Sequence, residues 1–167
     1  GVLGGSLGAR VLNQAVPAIV AARRDASPAV VHLAGVEAAT VAPQAAASSL
    51  PWRCLPFEDE MHYFYAAADL VLCRAGAMTI SELAATGTPA VLVPLERVGQ
   101  QHNASTLVAA GGARLVPQAE AASLPDVVGR LLEDPAARAA MGRAARRVAF
   151  PEAAEVIARR LREAADG

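Results

Sequence analysis

The chain has 167 residues, enough for one domain with a well-buried core. Hydrophobic residues make up 54% and aromatics only 4%, so Ala, Val and Leu must build a core of closely packed helices and parallel strands. A formal net charge of -1 gives no electrostatic footprint for nucleic acid, and all fifteen basic residues are Arg, which excludes a lysine nucleophile, a Schiff base or a P-loop lysine.

The opening Gly1-Val2-Leu3 lacks a Met and runs straight into Gly4-Gly5, where a strand feeding a glycine turn is normally longer. The expectation is one domain, residues 1–167, of a longer protein. Val2-Leu3 reads as the end of a strand. Gly4-Gly5-Ser6-Leu7-Gly8-Ala9 follows, and then the helical pattern Val11, Leu12, Ala15, Val16, Ile19, Val20, ending near Arg23-Arg24. Glycines between a strand and a helix let backbone approach a ligand closely. The spacing is not the dinucleotide fingerprint, and no acidic residue closes a second strand at the usual distance, so NAD is not expected. Ser6 can donate to a phosphate or cap the helix.

Residues 29–33 form a second expected strand, with His32 read as a satisfied structural histidine. Residues 36–49 are Ala-rich and expected to be helical in part, interrupted at Pro43. Trp52-Arg53-Cys54-Leu55 reads as a third strand. The acidic run Glu58-Asp59-Glu60 favours the N-terminus of a short helix through residues 62–68. Phe57, at the strand end, can pack against a base or serve the core.

The most informative stretch is residues 69–82. An apolar strand, Leu70-Val71-Leu72-Cys73, leads into the small loop Arg74-Ala75-Gly76-Ala77. A helix then begins at Met78-Thr79-Ile80-Ser81-Glu82 and stops at Gly87 with Pro89 behind it. The first N–H groups of a helix lack intrahelical partners and its dipole favours negative charge, so this order makes an anion site. A carboxylate early in the helix suits a ligand that also carries a diol, because an ionised carboxylate only accepts hydrogen bonds. A nucleoside diphosphate with Glu82 on its ribose fits; so does a Glu82 that merely favours the helix N-terminus. Arg74 can pair with a diphosphate, or with Asp69 or Glu82.

Residues 89–94 give a fifth strand. The polar stretch from Gly99 through Gln100, Gln101, His102 and Asn103 enters a helix that stops at Gly111-Gly112. Adjacent amides suit sugar hydroxyls, since an amide both donates and accepts; they also suit a plain helix start. Residues 113–116 form a sixth strand. Helices are expected over residues 123–132 and 135–148, and a last one from residue 152 to about residue 164.

Strands alternating with helices over short connections predict an α/β fold, a Rossmann-like open parallel sheet of about six strands with helices on both faces. The glycine and polar signals all fall at strand C-termini, the edge that carries the ligand crevice in this architecture. Cys54 and Cys73 sit in apolar runs as reduced thiols, and His32, His62 and His102 have no metal-ligand spacing. No metal and no cofactor are expected, and no apolar run is long enough to cross a membrane.

Several of these motifs together resemble the C-terminal half of the GT-B glycosyltransferases of family 28. The resemblance is to the bacterial members that transfer N-acetylglucosamine (GlcNAc) from UDP-GlcNAc to lipid I, forming lipid II in peptidoglycan synthesis. The carriers are Gly4-Gly5-Ser6-Leu7-Gly8-Ala9-Arg10 with Leu12-Asn13; residues 57–61; Ala67-Ala68-Asp69; Arg74-Ala75-Gly76-Ala77-Met78-Thr79 with Ser81-Glu82; Gly87-Thr88-Pro89 with Pro94; and Gln100-Gln101-His102-Asn103-Ala104. The resemblance spans essentially the whole chain and implies a donor-binding domain. It implies that Gly5, Ser6 and the backbone of Gly76, Ala77, Met78 and Thr79 meet the diphosphate beside Arg74, and that Glu82 holds the ribose. The backbone at Glu58, after Phe57, would read the uracil, and Gln100, Gln101 and Asn103 would lie near the sugar. It further implies inverting, metal-independent transfer, with the general base and the lipid-acceptor surface in an N-terminal domain absent from this chain. No catalytic residue is assigned here. The full-length protein would be cytoplasmic, peripheral on the inner face of the bacterial membrane. Other readings are the donor domain of another GT-B transferase (a glycolipid synthase, or a split dolichol-linked GlcNAc transferase subunit) and a non-catalytic nucleotide-binding module.

Overall fold

The computed structural model describes residues 1–5, 7–23, 28–95 and 99–165. Strands and helices alternate along them: β1 (Val2–Leu3), α1 (Arg10–Ala21), β2 (Val30–Leu33), α2 (Ala38–Ala46), β3 (Trp52–Leu55), α3 (Met61–Ala67), β4 (Val71–Cys73), α4 (Ala77–Thr86), β5 (Ala90–Leu92), α5 (Gln100–Ala109) and β6 (Ala113–Leu115). Three helices close the chain: α6 (Leu124–Glu133), α7 (Pro135–Arg146) and α8 (Ala153–Ala165).

The six strands form one sheet in the order β3-β2-β1-β4-β5-β6, and every neighbouring pair is parallel. Val2 lies opposite both His32 and Leu72, so β1 sits at the centre between β2 and β4. The expected α/β class and strand number are therefore observed. The central strands are apolar throughout because both faces are covered, as a parallel sheet requires. Val2, Leu72, Val91 and Val93 face a cluster that takes Leu12, Val16 and Ile19 from α1 and Leu124 and Val128 from α6. Leu3, Val71, Cys73 and Leu92 face the opposite cluster, with Phe64 and Tyr65 of α3, Leu83 of α4 and Leu107 of α5.

One expectation fails. Pro43 does not interrupt its helix but lies inside α2. A proline removes the hydrogen bond to the carbonyl four residues back. That carbonyl belongs to Ala39, which is exposed and open to water, and only Val41 and Ala45 of α2 are buried.

Strand order reverses at β1. The connection from β1 leads outward to β2, and the one from β4 leads outward to β5 on the other side. Their helices, α1 and α4, pack on opposite faces, so a crevice opens between the C-terminal ends of β1 and β4.

Candidate functional site

The two loops that flank this crevice are the two glycine loops of the sequence. The first, residues 4–9, leaves β1. Ser6 lies outside the described residues, and the N-cap position of α1 is occupied by Ala9. Gly8 has φ +76° and Gly35, after β2, has φ +65°. Their backbones touch: a Cβ on Gly8 would collide with the Ala34 carbonyl, and one on Gly35 with the backbone of Gly8. Glycine is required at both for conformation and for space. The exposed Gly5, also at positive φ, has no neighbour within 4 Å of a Cβ and stands at the crevice.

Behind this loop lies a polar network. Asn13 of α1 accepts from His32 Nε2 at 2.9 Å, and its side-chain nitrogen donates to Ala34 O at 3.2 Å and to Glu37 Oε2 at 2.8 Å. Arg10 closes the chain on Glu37 Oε1 at 3.2 Å. Since the Asn13 oxygen can only accept, His32 carries a proton on Nε2; Nδ1 has no partner among the described residues, so the histidine is satisfied on one side only. Burial pulls its pKa down to about 4. Glu37 is held below the usual carboxylate range, chiefly by the Asn13 hydrogen bond and then by Arg10.

The second loop, residues 74–76, leaves β4. Gly76 sits at the N-cap position of α4 with no side-chain cap, and Ala77 and Met78 beyond it are exposed. Among the described residues no side chain caps the first N–H groups of α4. Thr79 and Glu82 are half-buried further along the helix. The Glu82 carboxylate accepts a hydrogen bond from the Tyr65 hydroxyl at 2.8 Å. Arg74 turns across the sheet edge, donating to Val93 O at 2.9 Å and to Gln118 Oε1 at 2.7 Å. Partial burial draws its pKa below the ordinary value, but an arginine stays charged at biological pH. The alternative pairing of Arg74 with Asp69 or Glu82 is absent among the described residues.

The third signal converges on the same edge. Asn103 of α5 donates to Ala75 O at 3.2 Å, tying α5 to the β4 loop. Gln100 accepts from Leu95 N at 3.0 Å, which braces its own loop, and Gln101 is exposed. Phe57 is 58% exposed, so a core role for it is ruled out. Glu58 accepts from the Glu60 backbone at 3.0 Å just before α3. Leu7, Val36, Phe57 and Met78, all exposed, lie on the loops and helix start at this edge, and an apolar recess of about 390 Å³ around Gly1, Val20 and Leu132 reaches Glu58 at one end.

Gly5, Arg74, Gly76, Ala77, Met78, Thr79, Glu82, Gln100, Gln101 and Asn103 thus share the edge at the strand C-termini, with Phe57 and Glu58 at its β3 end. Sequence reasoning missed Tyr65 as the partner of Glu82, Gly35 as the mate of Gly8, and Gln118 as the partner of Arg74. Asn13 carries a signal as part of the glycine-loop motif, and Gly35 carries one as a glycine at the C-terminal end of the second strand, where an open α/β sheet places ligands. Burial pushes the Cys73 thiol up to about 12, in keeping with an inert core cysteine. Among the described residues no group of His, Cys, Asp or Glu could hold a metal ion, and no helix is long and apolar enough to cross a membrane.

Residues 1–157 match the glycosyltransferase family 28 C-terminal domain. The chain is 45% identical over 175 residues to a UDP-N-acetylglucosamine--N-acetylmuramyl-(pentapeptide) pyrophosphoryl-undecaprenol N-acetylglucosamine transferase of Halorhodospira halophila, covering 99% of this chain and 48% of that protein. It is 47% identical over 163 residues to the transferase of the same name from Xanthomonas oryzae pv. oryzae, covering 94% and 37%. The crystal structure of Acinetobacter baumannii MurG superimposes with a TM-score of 0.87 at 29% identity, over 97% of this chain and 51% of that one. The chain spans about half the length, or less, of the proteins it matches. It belongs to glycosyltransferase family 28, and its sheet is the C-terminal half of a GT-B fold.

Proposed function

We propose that this chain is the UDP-GlcNAc-binding domain of an enzyme that transfers GlcNAc to lipid I in peptidoglycan synthesis. The observation that carries the reading is the uncapped start of α4 at the β1/β4 crevice, with a carboxylate, Glu82, further along the same helix. Unpaired N–H groups and the helix dipole suit a diphosphate. A carboxylate that can only accept suits a ribose diol. In this account Gly5, Ser6 and the backbone of residues 76–79 hold the diphosphate. Arg74, which keeps donors beyond the two it uses, neutralises charge that grows on the leaving UDP. Phe57 and the Glu58 backbone take the uracil, and Gln100, Gln101 and Asn103 border the sugar.

An acceptor hydroxyl attacks the anomeric carbon and UDP departs with the electron pair of the broken bond. The base that takes the proton and the surface that holds the lipid belong to a second domain, through which the whole protein contacts the inner face of the membrane. This chain is the single donor domain of that pair. Names shared with relatives at 45% and 47% identity support the choice of donor and acceptor.

The test is transfer of radiolabelled GlcNAc to lipid I. The chain alone is expected to transfer nothing, and the chain joined to the N-terminal half of the Halorhodospira halophila relative is expected to form lipid II. Transfer by the chain alone would refute the division of labour; a joined protein that folds and binds lipid I but not UDP-GlcNAc would refute the donor assignment.

A further inference from the structure

Tyr65 is only 3% exposed, on α3 and outside the crevice loops. Its ring packs edge-on against Phe64, with centroids 5.5 Å apart, and its hydroxyl donates to Glu82 Oε2. A buried phenol needs a hydrogen-bond partner. Here that partner is the one side chain proposed to hold the ribose. Burial first, and then this hydrogen bond, push the phenol's pKa far up, so it stays a donor at any biological pH.

The geometry limits what Glu82 can do. An ionised carboxylate offers about four acceptor directions on two oxygens. Tyr65 takes one on Oε2, which leaves Oε1 and the rest of Oε2 for a pair of ribose hydroxyls. A half-exposed glutamate otherwise samples several rotamers, and binding must then freeze them. The Tyr65 bond freezes the carboxylate before the ligand arrives.

Building on the donor reading, we propose that Tyr65 is a positioning residue. Its hydroxyl aims the Glu82 carboxylate so that it accepts from both ribose hydroxyls, and preference for a ribonucleotide over a 2′-deoxyribonucleotide belongs to the Tyr65–Glu82 pair. A tie that only joined α3 to α4 would have no bearing on the sugar.

The test is calorimetric titration of UDP and 2′-deoxy-UDP into the chain and its Tyr65→Phe, Glu82→Ala and doubly substituted variants, with each variant's unfolding midpoint measured alongside. Tyr65→Phe keeps the ring and its packing. It is expected to weaken UDP by about three- to tenfold, the worth of one hydrogen bond, and to weaken 2′-deoxy-UDP less, so that the preference shrinks. Glu82→Ala is expected to abolish the preference, and the double variant to be no worse than Glu82→Ala alone, as for groups acting in one chain. Equal weakening of both nucleotides by Tyr65→Phe, or none, would overturn the positioning role while leaving Glu82 in place. Unchanged UDP binding in Glu82→Ala would instead overturn the donor reading beneath it.

Discussion

At the scale of single residues, the site depends on glycines that no other side chain can replace. Gly8 combines a left-handed backbone with contact against Ala34 and Gly35. Gly8→Ala therefore adds backbone strain of about 1–2 kcal/mol to an overpacking penalty of similar size. Urea unfolding of this variant is expected to show a lowered midpoint, and nucleotide titration a weaker complex, because the loop must back away from the β2 end. The glycine loops and Glu82 were legible in sequence because each is a local signal: a strand, small residues, then a helix start. The contacts made by Tyr65, Gly35 and Gln118 were not legible. Tyr65 meets Glu82 across 17 positions and Arg74 meets Gln118 across 44, contacts that exist only once helices have packed on the sheet. Phe57 misleads in the other direction, since an aromatic at a strand end looks like core until the loop turns it outward.

At the scale of elements, α4 shows how local chemistry sets a boundary. Its C-terminus is closed by Gly87 at φ +67°, with Gly87 N bonded to Ala84 O and Thr88 N to Leu83 O. That is a left-handed glycine cap satisfying carbonyls the helix leaves open. Arg146 of α7 crosses over it, and a Cβ there would strike the Arg146 side chain. Gly87→Ala should destabilise by about 1 kcal/mol or more. Leu107 of α5 is wholly buried under the sheet, and Leu107→Ala should cost about 2–5 kcal/mol through the cavity it leaves. Chemical denaturation measures both, and the order Leu107→Ala worse than Gly87→Ala is part of the expectation. The short apolar strands and the glycine stops made these elements readable. Pro43 misled because a proline inside a helix costs a hydrogen bond and crowds the preceding turn without always ending the helix, as Pro17 inside α1 also shows.

At the scale of the molecule, the alternation of strands and helices revealed the parallel sheet but not its order, since which strands pair is decided by crossovers rather than by pattern. The order puts β1 beside β4, and so brings together two loops about 70 residues apart in sequence. The His32–Asn13–Glu37 network behind the first loop also makes the whole domain acid-sensitive. His32 titrates near 4 when folded and near 6.5 when unfolded, so between these values the unfolded chain binds more protons. Stability present above pH 6.5 is lost as pH falls toward 4, by at most roughly 3 kcal/mol from this group. Glu37, with its folded pKa lowered, acts in the same direction as pH falls through that value. Urea unfolding should give a lower midpoint at pH 5 than at pH 7, and His32→Gln, which keeps a donor for Asn13, should flatten the difference.

Calorimetric titration of UDP-GlcNAc and GDP-mannose into the chain, with and without Glu82→Ala, tests the donor assignment most directly. UDP-GlcNAc is expected to bind saturably and GDP-mannose little or not at all, and Glu82→Ala is expected to cost about tenfold or more, the worth of hydrogen bonds to a charged group. Equal binding of both sugar nucleotides, or UDP-GlcNAc binding indifferent to Glu82, would contradict that assignment.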